Sequence, residues 1–286
     1  MKRFCIYHSR DLDGKCSAAI VRFKYPDVEL IGYDYGEPLD LEQFRDAQVF
    51  MVDISLQPYD RMLELYDTCV DLIWIDHHKT AIEESKLRVV KINGRREVGK
   101  AGCELTWAAL FPGEDIPAAV EYLGRYDVWD CKLKLFWNDT ILPFQYGMRA
   151  VSNNPEAILW KALFATPEDK VLLEKLRTAG QQILSYERQQ HAEACQADAF
   201  AITFDGLRVL CLNHRSCGSQ WFESKWNHTD FDAMLAFGYD GKKWTVSLYT
   251  DKPGVDVGEV ARKRGGGGHK GAAGFQMAKL PPDLGG

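Results

Sequence analysis

A chain of 286 residues, 46% hydrophobic and 27% charged, has the composition of a globular protein and enough apolar mass for two domains of moderate size. Its formal net charge of −6 argues against a protein that tracks long nucleic acid on a basic face, so an anionic substrate must meet local positive charge. There is no apolar run of membrane-spanning length and no signal-peptide-like beginning, so the cytoplasm is expected; the eight cysteines form no CxxC pair, which argues for reduced, buried thiols over a zinc knuckle.

In chain order, Phe4–Tyr7 reads as a strand ending on His8, and the loop His8–Gly14 runs into a helix that contains Ser17–Val21 and stops before Pro26. Val28–Tyr33 is a second strand, Leu39–Arg45 a short helix, and Val49–Val52 a third strand ending on Asp53. Gln57–Asp67 is amphipathic, with Tyr59, Met62, Leu63 and Tyr66 at helical spacing, and Leu72–Ile75 is a strand that stops at Asp76-His77-His78. This alternation predicts an α/β fold: a doubly wound, mostly parallel N-terminal sheet. Leu87–Ile92 reads as a further strand, followed by helices over Glu104–Phe111, Ala118–Tyr126 and Ala157–Phe164.

From Pro167 to about Ala197 the pattern is helical and increasingly polar, as in a linker. Strands follow at Phe200–Phe204, Leu207–Leu212, Ala233–Tyr239 and Trp244–Tyr249, with Asp205-Gly206 and Asp240-Gly241 as turns, and helices at Ser219–Trp226 and Val257–Lys263. The expected organisation is a catalytic domain over 1–180, a linker helix over about 167–197, a smaller α+β domain over 198–280 and a frayed tail, Pro281–Gly286.

Ligands in open α/β sheets bind beyond the carboxyl ends of the strands. Three predicted strands end on His8, Asp53 and Asp76-His77-His78, so His8, Asp11, Asp13, Asp53 and His77 are expected to converge, with Asp127 available to join them. Singly, each has an ordinary reading: a strand-end histidine, an acidic turn, a helix N-cap for Asp53, a solvated acid for Asp127. Their joint placement does not. Two unit charges 4 Å apart repel by about 4 kcal/mol at an effective dielectric near 20, so the carboxylates need divalent cations. Mixed imidazole and carboxylate donors suit Mn²⁺, Fe²⁺ or Zn²⁺, and an oxygen-rich set with open positions favours Mn²⁺. Two ions fit the ligand count better than one.

Gly265–Gly268 lies between Arg262-Lys263-Arg264 and His269-Lys270. Glycines present consecutive N–H groups to phosphate oxygens, so Gly266, Gly267 and Gly268 read as a phosphate cradle, with Arg262, His269 and Lys270 adding charge. The ordinary readings are a flexible linker and a solvated helix end. Asn213 and Arg215, after a strand of the second domain, read as substrate contacts or as a polar turn; Trp129, Trp137 and Phe144 read as core residues or as a base-stacking surface.

His8-x-x-Asp11-x-Asp13-Gly14, Asp53, Asp76-His77-His78 and Gly266-Gly267-Gly268-His269-x-x-Ala272-Ala273-Gly274, in that order, resemble the successive motifs of the DHH phosphoesterase superfamily with its DHH-associated C-terminal domain, the RecJ and nanoRNase-like proteins. The resemblance implies one ion held by His8, Asp11 and Asp53 and another by Asp13, Asp53, His77 and Asp127, with Asp53 bridging. Which of Asp11 and Asp13 serves which ion stays open, as does Asp130 as a rival to Asp127. His78 is expected to face the substrate phosphate and Asp76 to orient a neighbouring ligand. The implied cofactors are two Mn²⁺ ions, with Mg²⁺ or Co²⁺ as substitutes. The expected activity is hydrolysis of very short oligoribonucleotides, especially dinucleotides such as linear products of cyclic dinucleotide breakdown, to mononucleotides. A RecJ-like single-strand exonuclease, a nucleoside 3′,5′-bisphosphate phosphatase and a non-catalytic nucleotide sensor are the alternatives. The expected partner is short RNA, not a long duplex or a membrane, and a homodimer is compatible.

Overall fold

The computed structural model describes residues 1–151, 153–165, 169–215, 217–280 and 284, and the chain divides into two compact units, Met1–Leu184 and Ser185–Gly286. In the first unit, strands β1 (Arg3–His8), β2 (Glu29–Tyr33), β3 (Gln48–Val52) and β4 (Asp71–Ile75) form a parallel sheet in the order β2-β1-β3-β4. Alternation along the strands sends Phe4, Ile6, Val49, Met51, Leu72 and Trp74 into one apolar cluster and Cys5, Phe50, Val52 and Ile75 into another. Met62 and Leu65 of α2 (Asp60–Thr68) and Ala81 of α3 (Lys79–Lys86) join the first cluster. Helices α1 (Leu12–Lys24), α4 (Gly102–Leu110) and α5 (Ala118–Asp127) join the second. The sheet is therefore doubly wound, and burial on both faces explains why its strands read as continuous apolar runs. Truncating the fully buried Phe50 to alanine should destabilise the unit by about 3–5 kcal/mol.

The chain crosses from β1 to β2 on one side, then returns past β1 to β3 on the other, so the winding reverses between β1 and β3. The crevice at such a reversal is where the carboxyl ends of two adjacent strands face open space.

Several local expectations are corrected. Leu87–Ile92 is not a strand: Leu87 and Val89 are exposed, and the free side of β4 is met instead by residues 93–97, with Trp74 N–H donating to Asn93 O and Asp76 N–H to Arg95 O. Leu39–Arg45 shrinks to the 3₁₀ turn Glu42–Phe44, where Phe44 alone is buried. Helix α2 starts at Asp60, because Gln57 precedes a proline and pre-proline backbone avoids the helical region. Past α5, α6 (Lys134–Phe136), a π-helical turn (Trp137–Ile141), α7 (Leu142–Arg149) and α8 (Leu159–Phe164) complete the helical half.

Helix α9 (Lys170–Asp198) links the units, and their boundary falls within it; the expected start at Pro167 lies outside the described residues. The second unit is a mixed sheet of β5 (Phe200–Phe204), β6 (Leu207–Asn213), β7 (Ala233–Tyr239), β8 (Trp244–Tyr249), β9 (Gly267–His269) and β10 (Ala272–Met277), in the order β5-β6-β7-β8-β10-β9. β6 and β7 run parallel and the other neighbours antiparallel. Asp205 and Gly206 have φ of 52° and 81°, as a type I′ hairpin requires. Helix α10 (Val257–Arg262) packs Val257, Val260 and Ala261 against the β6–β8 core, while Ser219–Trp226 yields only a 3₁₀ turn, Ser219–Phe222. Of the expected tail only Leu284 is described, and it is buried in that core rather than frayed.

Candidate metal centre

The residues expected to converge in the first unit do so at the β1/β3 crevice. Asp11 caps α1: its Oδ1 accepts the Gly14 N–H at 3.0 Å, while its Oδ2 stands 3.0 Å from His8 Nδ1. A Cβ at Gly14 would sit 2.1 Å from the His8 carbonyl oxygen, so glycine is what allows α1 to start this close to β1. His8 Nδ1 is 3.7 Å from Asp53 Oδ2, and Asp53 Oδ1 is 3.2 Å from His77 Nε2. His77 Nε2 lies a further 3.5 Å from Asp127 Oδ2 and 3.8 Å from Asp13 Oδ2.

Among the described residues three sets of donor atoms emerge, each with all its atoms within 4.8 Å: His8, Asp11 and Asp53; Asp53, His77 and His78; and Asp13, His77 and Asp127. Asp53 and His77 link them into one continuous site. Asp127 ends α5 inside it, whereas Asp130 faces Arg125 and Lys132.

The surrounding backbone is shaped for anions. Asp13 is buried, and its two carboxylate oxygens accept the Gly102 and Cys103 N–H groups, each at 2.7 Å, at the N-terminus of α4. A Cβ at Gly102 would come within 2.7 Å of Asp53 Cβ and Oδ1, so glycine is needed there for α4 to approach. Asp53 itself has φ 60°, a left-handed conformation that aspartate tolerates better than most residues.

Asp76 is wholly buried and is a member of none of the three sets; it holds the histidines that are. Its Oδ1 accepts the backbone N–H groups of His77 and His78 and pairs with His78 Nδ1 at 2.7 Å, while Oδ2 accepts the Trp74 indole N–H. An oxygen that already accepts two N–H groups takes the imidazole as its Nδ1–H tautomer, which leaves Nε2 of His78 free of Asp76.

The electrostatics show a site crowded with like charge. Burial, together with the Asp53 and Asp127 charges, pushes Asp13 up. Burial and Asp53 raise Asp127 to about 6. Burial alone would raise Asp53, but His77 and His8 beside it hold it down, to about 2. Asp11 and Asp53 raise His8 to about 10 against the opposing effect of burial. His77 is lowered by burial yet lifted to about 9 by Asp53 and Asp127.

His8 Nδ1 and Asp53 Oδ1 are nonetheless buried without a well-formed hydrogen bond. Orphaned buried donors in an imidazole and carboxylate cluster are what divalent cations satisfy, so the residues present fit the group the ligand pattern implies.

The sequence reading missed two contributors. Asp34 follows β2 at the same sheet edge, 3.6 Å from His8 Nε2 and paired with Arg10; the strand-end rule that found Asp53 also points to it. The Gly102 and Cys103 amides carry no side-chain signature.

The substrate residues expected from the second unit lie apart in its fold. Gly267, Gly268 and His269 form the exposed edge strand β9, so the flexible-linker reading fails for them, and Gly266 precedes it with its N–H bonded to Ala261 O. Lys263 and Arg264 pair with Asp205, whereas Arg262 is exposed and joins no ion pair among the described residues. Asn213 ends β6, and Arg215 helps line a cavity of about 200 Å³ with His214, Gly238, Thr245 and Ser247. Ser216 lies outside the described residues. Trp137 and Phe144 are core residues, but Trp129 is 62% exposed.

No family model matches the chain. It is 25% identical over 251 residues to the uncharacterized protein R106 of Acanthamoeba polyphaga mimivirus, a match that takes in 84% of the chain but about 55% of that relative's length. Among solved structures, a DHH domain described as a member of the s1p family of ribosomal proteins aligns over 96% of this chain and 82% of its own, with a TM-score of 0.57 and 12% identity. The pGpG-specific phosphodiesterase PggH of Vibrio cholerae aligns over 97% and 94%, with a TM-score of 0.52 and 15% identity. The chain shares its fold with these structures, a DHH domain and a phosphodiesterase among them. Among the described residues no helix is long and apolar enough to cross a membrane.

Proposed function

We propose that the chain is a metal-dependent phosphodiesterase that hydrolyses very short oligoribonucleotides, above all dinucleotides. The observation that carries the reading is the continuous donor site from His8 and Asp11 through Asp53 to His77, Asp13 and Asp127, with two of its buried atoms orphaned. His8, Asp11 and Asp53 would hold one cation, and Asp13, His77 and Asp127, with Asp53 beside them, a second. Bound Mn²⁺, or Mg²⁺ or Co²⁺ in its place, supplies Lewis acidity and a water acidic enough to attack phosphorus near neutral pH.

The chain's own residues do the rest. Asp76 fixes the orientation of His78 through Nδ1–H and favours its doubly protonated form, in which Nε2–H would donate to a phosphoryl oxygen as charge develops. The α4 amides hold Asp13 in place, sparing reorganisation on binding. Arg262, Gly266–His269, Asn213 and Arg215 are the candidate contacts to the remainder of the substrate, and the cytoplasm is the proposed compartment.

Support for a short substrate comes from the chain's charge of −6 and from a fold match that takes in 94% of a pGpG-specific phosphodiesterase. The test compares kcat/KM in Mn²⁺ on a 5′-phosphorylated dinucleotide and on a 20-mer. The dinucleotide should be preferred by at least about tenfold, the 1.4 kcal/mol scale of one good substrate contact. Equal efficiency on the long strand would contradict the substrate assignment, and activity without added or bound metal would contradict the mechanism.

A further inference from the structure

Trp129 stands out at the edge of the donor site. Large aromatic side chains are buried for the most part, yet this one is 62% exposed. Its φ is 55°, in the left-handed region that bulky side chains rarely adopt, and the turn is closed by Asp130 N–H donating to Arg125 O and Cys131 N–H to Trp129 O. The ring is backed by others. It meets Trp137 edge-on at 5.1 Å and Tyr126 at 5.8 Å, and these two stack on each other at an interplanar angle of 3°, with Trp137 buried.

A ring held this way loses little freedom when a flat ligand lies on it. A cation accompanies it: the Arg149 guanidinium covers the Tyr126 and Tyr146 rings and donates to the Tyr126 hydroxyl at 3.1 Å. Two links of 3.8 Å place the Trp129 Cα within about 7.6 Å of the Cα of Asp127, whose carboxylate belongs to the donor site.

We propose that Trp129 is a stacking platform for a nucleobase of the substrate, positioning the phosphodiester next to the metal centre; this rests on the phosphodiesterase reading above. Stacking on an aromatic face is tolerant of base identity, so the residue confers a requirement for a base rather than a preference among bases. It also accounts for a strained, exposed tryptophan two residues past a candidate ligand, while its neighbours Trp137 and Phe144 are core.

The experiment measures kinetics in Mn²⁺ on 5′-phosphorylated diadenylate and on the same dinucleotide lacking one base, using wild type, Trp129→Phe, Trp129→Leu and Trp129→Ala. The alanine and leucine variants should lose about 10- to 100-fold in kcat/KM on diadenylate, mainly through KM, and their preference over the abasic substrate should collapse. The phenylalanine variant should keep most of that preference. An unchanged preference in the alanine and leucine variants, or a loss confined to kcat, overturns the proposal. Should wild type hydrolyse neither substrate, the phosphodiesterase reading fails on its own. Equilibrium binding of diadenylate in Mn²⁺ then decides: weaker binding in the leucine variant but not in the phenylalanine variant supports stacking, and equal binding in all four proteins overturns it.

Discussion

The strand ends of the first unit and the glycine-rich edge of the second both gather residues suited to phosphate chemistry, but they differ in how much the fold explains by itself. At Gly266 a Cβ would lie 2.1 Å from Gly274 O, and at Gly268 it would lie 2.5 Å from Ala273 Cα, so two of these glycines are demanded by the close approach of β9 to β10. In the acid and histidine cluster Asp11 and Asp13 also serve helix N-termini, but that does not account for the cluster as a whole. Its charges oppose one another, it raises the pKa of Asp13 and Asp127, and it leaves buried atoms orphaned. A residue pattern points to a ligand when it leaves like charges together and polar atoms buried without partners, and the cluster meets that standard where the glycines do not.

The largest test of the contrast is Asp53→Asn. Asparagine also tolerates a left-handed backbone, so the fold should persist while the shared anionic donor is lost. Turnover should fall by about 10³-fold or more, equivalent to several kcal/mol of metal-supplied stabilisation, with circular dichroism unchanged. Retained turnover would remove the distinction between the two regions.

Metal affinity should depend steeply on pH. With His8 raised to about 10 and His77 to about 9, both are protonated in the metal-free site at neutral pH and must release a proton to ligate. Affinity should therefore tighten as pH rises from 6 to 8, by about tenfold per unit for each proton displaced. Calorimetry in buffers of different ionisation enthalpy counts those protons.

The metal-free fold should respond in the opposite sense. The raised histidines contribute stability that is complete below about 6.5 and lost as pH rises through 9 to 10. Asp127, an acid held up at about 6, adds a penalty that grows from the unfolded carboxylate value and is complete above about 6. Asp53, held down at about 2, contributes stability present above its ordinary value and lost only as pH falls through 2. Melting temperature should thus fall between pH 7 and 10 without metal, and less so with Mn²⁺ bound.

Asp76→Asn tests the support of the cluster and should weaken Mn²⁺ affinity or activity by about 10- to 100-fold, since the acceptor shared by His77 and His78 is disturbed. At the glycine edge, Gly268→Ala has φ 135° and a backbone clash against it, and should destabilise the second unit by about 1–3 kcal/mol. Gly267→Ala gives the smallest and sharpest contrast. A Cβ there meets nothing within 4 Å, so stability should hold, and a rise of a few fold in KM would come from a substrate approaching that backbone. No change in KM would leave the glycine edge a structural feature alone.

The elements found in the sequence were those whose physics is local. β7 and β8 match their expected limits because β7 is a buried apolar run, β8 alternates with Val246 and Leu248 inward, and Asp240-Gly241 separates them; His8, Asp53 and Asp76 follow from apolar runs that stop at charge. β10 escaped notice because Ala272-Ala273-Gly274 has little strand propensity; it is specified by pairing with β8. Leu87–Ile92 has strand-like residues but gains no partner, since residues 93–97 take the edge of β4. The Gly102 and Cys103 amides under Asp13 were illegible for a different reason: backbone donors exist at every position, and only the tertiary approach of α4 selects these two.

The most direct test of the central claim is a crystal of the protein soaked in Mn²⁺ and measured for anomalous scattering. Two peaks should appear at the carboxyl edge of the first sheet, one contacting His8 and Asp11, the other Asp13, His77 and Asp127, with Asp53 contacting both. Crystals of active protein with no manganese at these side chains, or with both ions bound elsewhere, would contradict it.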